Sequence, residues 1–223
     1  MRAIAVTALI FTSALAAQEK VVDPVAAPKG NQPATKPLAP REPKDLRPGA
    51  SALKLLREPS LEGRPDAEIL PSIRVIWSRT FDPPISLRAY MTRDGPRLRV
   101  ARTSGKGGYG WGILDFENDF PLKDEIWQTL LKLLRADGAR QPFKNLKQED
   151  RDALSGSDGS TWKLEVSDQS GYTVDEAWTP TSVTEGKPEE KKLFEERGIR
   201  LDNFVKLCKF LIQYAPLDPE SIY

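Results

Sequence analysis

Three carboxylates and two tryptophans lie close together in the C-terminal half of this 223-residue chain. Asp158, Trp162 and Glu165 fall in DGSTWKLE, and Glu176 and Trp178 in YTVDEAW. Carboxylates flanking a bond, with indole faces beside them, are the residue types that glycoside cleavage uses. One acid protonates the leaving oxygen and the other acts as base or nucleophile. A chain with 32 acidic residues holds many such trios, so a carboxylate-based glycan hydrolase is the rival reading and not the leading one. A sharper pair is Arg79 and Glu176. Each is a charge on the apolar side of an alternating segment, flanked by Trp77 and Phe81 or by Trp178. A charge that faces a core must be paired or it costs several kcal/mol. Pairing of Arg79 with Glu176, Asp158 or Glu165 would either fix strand register or line a pocket that orients a ligand.

The run Ser104 to Gly112, SGKGGYGWG, is a glycine-rich loop. It lacks the GxxxxGK[ST] spacing and does not lead from a strand into a helix N-terminus, so no phosphate cradle is expected. Two readings remain open. The loop is a lip presenting Lys106, Tyr109 and Trp111 to a ligand, or its glycines serve conformation and its aromatics pack back on the sheet. Between Ile73 and Lys106, eight basic residues face only Asp82 and Asp94, whereas residues 113 to 125 are acidic. Arg74, Arg88 and Arg97 or Arg99 would form a basic strip interleaved with Tyr90. It would hold an anionic envelope polymer, or be a solvated sheet face with acidic neighbours across the strands.

Much chemistry is excluded outright. The chain has no histidine, which removes histidine-activated nucleophiles, histidine zinc sites and histidine pH switching. One cysteine, Cys208, removes intrachain disulfides and two-cysteine metal or redox motifs. Its place on an apolar helical stripe makes it a small core residue. No metal and no cofactor is expected.

The elements that must position these groups follow from periodicity. Ile73 to Phe81, Ile85 to Met91 and Arg97 to Thr103 alternate with period two and are separated by turn residues, Asp82-Pro83-Pro84 and Asp94-Gly95-Pro96. Ile76 and Arg79 break the first alternation. Ile113 to Phe116 continues as a short strand. Lys123 to Arg135 is a helix with a broad apolar stripe ended by Gly138. Thr161 to Val166 and Tyr172 to Trp178 make a hairpin, with Tyr172, Val174 and Trp178 on the face of Trp162 and Leu164. A last helix begins at Asp202 and stops before Pro216. The fold class is α+β: an antiparallel sheet of about five strands with two main helices packed on one face.

The strings WSRTFDPP, TSGKGGYG, DGSTWKLE and YTVDEAWTP resemble a group of uncharacterised bacterial exported proteins. Those proteins share the patterns RTFxxP, SGxGGY, DGxxWxLE and YxxxExWxP. The resemblance rests on Arg79, Thr80, Phe81 and Pro84; on Gly105, Gly107, Gly108 and Tyr109; on Asp158, Gly159, Trp162, Leu164 and Glu165; and on Tyr172, Glu176, Trp178 and Pro180. It spans about residues 75 to 215 and implies a shared fold, without a known activity. This chain departs from the pattern by having no histidine after Phe81 or after Tyr172.

Residues 1–17, MRAIAVTALIFTSALAA, have the charged start, apolar run and small-residue end of a cleavable secretory signal, and the run is too short to span a bilayer. Loss of Arg2 with this leader would bring the 33 basic residues down to the number of acidic ones, which disfavours nucleic acid as a partner. Residues 18–70 read as a proline-rich linker, an extended tether over 18–50 followed by a short helix at 51–58 that packs on the domain. The domain is expected over 71–223. The function expected is a non-catalytic binding domain, periplasmic or secreted, with no membrane span after signal removal. Its site would comprise Arg79, Lys106, Tyr109, Asp158, Glu165, Glu176 and Trp178, and its partner would be an envelope protein or glycan.

Overall fold

The computed structural model describes residues 48–64, 70–147, 151, 154, 156, 158–186 and 188–214. The leader at 1–17 and the proline-rich residues 18–47 lie outside the described residues. Six strands form one antiparallel sheet: β1 Ser72–Arg79, β2 Ile85–Thr92, β3 Gly95–Thr103, β4 Leu114–Pro121, β5 Ser160–Asp168 and β6 Gly171–Trp178. Their spatial order is β4-β3-β2-β1-β5-β6. The first four strands are a meander, and β5 returns to the free side of β1, so the hairpin β5–β6 completes the sheet. The helices are α1 Ala50–Leu55, α2 Asp124–Leu134, α3 Pro180–Glu185, α4 Pro188–Glu196 and α5 Asp202–Gln213.

The main core follows the alternation. Ile73, Val75 and Trp77 of β1 join Ile85, Leu87 and Ala89 of β2, Leu98 and Val100 of β3, and Trp162, Leu164 and Val166 of β5. Against them pack Trp127, Leu130 and Leu134 of α2 and Phe204, Val205, Cys208 and Leu211 of α5. Burial pushes the Cys208 thiol pKa well above its ordinary value, so the sulfur is a core atom. Trp77 and Trp162 meet edge to face at 6.3 Å, a favoured aromatic geometry.

The fold is thus α+β with an antiparallel sheet, one strand richer than expected. Three elements differ from the sequence reading. β4 runs on to Pro121 through Glu117, Asn118 and Asp119, residues poor in β propensity, because β3 supplies arginine partners for its acids. Pro180 does more than end β6: it occupies the first turn of α3, where its missing N–H costs nothing. The boundary at 71 falls inside the folded unit. Leu56 and Leu61 are fully buried, and Leu56 joins Ile76 and Ala101 in a second small core on the other face of the sheet. Ile76, the exception in the alternation of β1, is apolar because residues 50–61 lie as a strap over this face and cover it.

Candidate functional site

All four motif islands meet at one end of the sheet, where β1 ends and β5 begins. The turn after β1 is clamped from two sides. Thr80 N donates to Gly159 O at 2.9 Å, and Thr80 Oγ1 donates to the same oxygen at 3.0 Å. From the other side, Gly107 N donates to Asp82 O at 3.1 Å and Gly108 N to Thr80 O at 3.0 Å. This approach requires glycine. A Cβ on Gly107 would sit 2.3 Å from Arg79 O, and one on Gly105 would sit 2.0 Å from Gly110 O. The loop closes on itself through Lys106 N to Gly110 O at 2.8 Å and Gly110 N to Lys106 O at 2.9 Å. Thr179 adopts a left-handed φ of 39° and links β6 back to β5 through Thr179 N to Ser160 O at 2.6 Å. Trp178 lies against Gly156 and Gly159, where a Cβ would meet its ring.

The clamped turn and loop carry two outward aromatics. Phe81 is 54% exposed and Tyr109 75% exposed, and their rings lie 6.0 Å apart. Lys106 is exposed in the same loop. The glycines serve close approach and Trp111 packs back against the small core of Leu56, Ile76 and Ala101, while Tyr109 stays exposed.

The proposed ionic site is not assembled as expected. Arg79 is only 4% exposed. Its guanidinium stacks 4.3 Å over the Trp77 ring, and Nη2 donates to Pro83 O at 3.0 Å. The register puts Arg79 beside Ser160, on the helix-covered face, whereas Lys163 pairs with Glu176 and Glu165 with Val174 on the opposite face. The sheet therefore separates Arg79 from both glutamates, and no register-fixing or pocket-lining pair forms between them. The same register corrects β6: Tyr172, Val174, Glu176 and Trp178 share the strap face, and Asp175 and Ala177 point to the helices. Asp175 is tolerated there because Arg151 Nη1 lies 3.0 Å away and Phe143 N and Glu176 N donate to it. Burial still pushes its carboxyl pKa up.

Two of the three carboxylates named for hydrolysis, Glu165 and Glu176, are committed to cations. Glu165 is 1% exposed; Oε2 accepts from Arg74 Nε at 2.7 Å and Oε1 from the Tyr172 hydroxyl at 2.7 Å. Burial, together with the Glu165 carboxylate, drives the Tyr172 phenol pKa upward, so its proton stays on oxygen. Glu176 lies 3.2 Å from Lys163 Nζ. Asp158 is exposed in the turn before β5. Glu165 is sealed from solvent with both oxygens already accepting hydrogen bonds, so it offers no room for a sugar.

The basic strip is neither a polymer track nor a solvated face. Arg74, Arg88 and Arg99 are buried, and all three converge on Glu58 of the strap, whose side chain is fully buried. Arg88 Nε donates to Glu58 Oε2 at 2.7 Å and Arg74 Nη1 to the same oxygen at 3.3 Å. Arg99 Nη1 and Ser86 Oγ take the other oxygen. Strap carbonyls complete the clasp: Pro59 O accepts from Arg74 at 2.7 Å and Leu56 O from Arg99 at 2.8 Å. On β4, Glu117 accepts from Arg99 at 2.8 Å, and that arginine holds its carboxyl pKa below the ordinary value. Asp119 accepts from Arg97 and from the Tyr90 hydroxyl. Sequence reading placed Glu58 at the end of a short helix packed on the domain but missed its role, because nothing in that proline-bounded stretch aims it at the sheet. The signal was present in the arginine excess of β1 to β3, which required an acidic partner from outside those strands.

No group of histidine, cysteine or carboxylate side chains suited to a metal occurs among the described residues, and none of their helices is long and apolar enough to cross a membrane. No family model matches the chain, and no curated protein is similar to it at a significant level.

Proposed function

We propose that this protein is an exported, non-catalytic binding domain on a proline-rich tether that engages an envelope protein or glycan through the loop end of its sheet. The observation that carries the reading is the Phe81–Tyr109 pair, two exposed aromatic rings held by a turn and a loop that are bonded to each other and to β5. Rigid aromatics present contact area at low entropic cost, which is what a recognition anchor needs. Lys106 adds a cation beside them. Arg79 donates to Pro83 O in the turn that carries Phe81, and Trp178 packs against Gly159, whose carbonyl accepts from Thr80. Commitment of Glu165 and Glu176 to ion pairs weighs against the hydrolase reading. The meeting of the four motif islands supports a shared architecture with the exported proteins they resemble.

The test places a photo-cross-linking phenylalanine analogue at position 109 of the full chain in intact cells, alongside a glycan array probed with the purified protein. The expected result is one dominant adduct or glycan class, abolished by Phe81→Ala. No adduct above that seen with the analogue at exposed Lys54, together with an unmarked array, overturns the reading. N-terminal sequencing of protein from fractionated cells checks export; a mature chain starting near Gln18 is expected.

A further inference from the structure

A cleft of about 880 Å³ opens at the opposite end of the sheet, between the last turn of α2, the loop 136–146 and the segment 197–200. That volume lies within the range of small-molecule sites, roughly 300–1,000 Å³. Met91, Leu131 and Leu134 contribute its apolar surface. Two acids line it, and each is already neutralised: Asp137 by Arg200 at 2.9 Å and Asp168 by Arg140. Three further lining cations, Arg135, Lys144 and Arg197, are exposed, and none makes a side-chain hydrogen bond or ion pair among the described residues. The carbonyl end of α2 offsets only about half a charge of this excess. The walls are tied together, since Asn203 Nδ2 donates to Asp137 O at 2.9 Å and Gly138 turns with φ of 72° close against Arg200. The cleft is thus shaped before any ligand arrives.

We propose that this cleft is a second binding site, separate from the aromatic loop end, that takes an amphipathic organic anion. The apolar body would lie against Met91, Leu131 and Leu134, and the acid group would meet Arg135, Lys144 and Arg197. An anion suits the cleft because three like charges gathered around it attract a counter-charge that the carbonyl end of α2 supplies only in part. An apolar body is required because inorganic anions gain nothing from the floor.

Two fluorescent probes of the same body test this on the full chain: anilinonaphthalene sulfonate and its uncharged analogue N-phenyl-1-naphthylamine. The sulfonate is expected to bind at least about tenfold more tightly than the neutral probe, and the double variant Arg135→Ala/Arg197→Ala to erase most of that gap. Both residues are exposed and make no side-chain pair among the described residues, so the variant retains the fold, which far-ultraviolet dichroism checks. Displacement of the probe by laurate or by dodecyl phosphate then tells a carboxylate ligand from a phosphate one. Equal affinity for the two probes overturns the inference, as does an unchanged double variant. Loss of sulfonate binding in Tyr109→Ala instead would assign the probe to the loop end, again overturning this site while leaving the aromatic one standing.

Discussion

Replacing Glu58 with glutamine should be among the most damaging nearly isosteric changes available to this chain. The side chain is fully buried and accepts from Arg74, Arg88, Arg99 and Ser86. Removal of its charge does not affect the three arginines equally. Arg74 keeps Glu165, and Arg99 keeps Glu117 and Leu56 O. Arg88 keeps only the face of Tyr90, 4.2 Å from its guanidinium, so one buried cation loses its only carboxylate among the described residues. Breaking a buried pair in this way costs about 3–5 kcal/mol, against a typical total stability of about 5–15 kcal/mol. The assay is urea unfolding of the full chain, followed through buried Trp77 and Trp162. The midpoint is expected to fall by an amount worth about 3–5 kcal/mol for Glu58→Gln. Arg88→Met in that background should restore part of the loss, because it removes the orphaned cation. A Glu58→Gln loss below about 1 kcal/mol, or a double variant whose losses simply add, would refute the reasoning that the clasp holds the strap through charge.

Gly107→Ala should destabilise by about 1–3 kcal/mol, because its Cβ meets the backbone oxygen of Arg79 at 2.3 Å, while Gly110→Ala, with open space around it, should stay within about 0.5 kcal/mol; thermal melts compare the two. Glu117 has a folded pKa below its ordinary 4.5, so its contribution is present above that value and fades as pH falls through the lower one. Solvent screening of this half-exposed carboxylate limits the effect to about 1 kcal/mol or less, so the deficit of Glu117→Gln in urea should close on acidification. Cys208 should resist a thiol reagent in the native protein and titrate fully in urea, its buried sulfur holding its proton. Rapid labelling of the native protein would contradict its place in the core.

The face of β1 that carries Ile73, Val75 and Trp77 was legible in the sequence because one covered face imposes period two. What covers the other face was not, since alternation says which residues share a side and nothing about what lies over it. Glu58 reaches Arg99 across 41 residues, a pairing no local pattern encodes. β6 misled for a related reason. Its aromatics suggested the main core, yet Asp175 takes the inward position because Arg151, from a loop distant in sequence, neutralises it. The glycine loop was readable as special, but its purpose depends on the backbone of Arg79 and Thr80 passing within contact. Segment 180–196 gave no signal of α3 and α4, because the residues of α4 are largely polar and present a weak apolar stripe. The cationic cleft required three segments separated in sequence to be brought together by packing.

The arrangement of β4 has one more effect. It is one of the two edge strands of the sheet, and its outer row of amides would be a template for a strand from another molecule. A chain with formal charge of only +1 has little global repulsion to keep such molecules apart. Asp115, Glu117 and Asp119 answer locally, each held in place by an arginine of β3. An incoming strand would bring its own side chains against a fixed acidic rail, so this edge of the sheet is guarded against growing sideways into aggregates at high protein concentration.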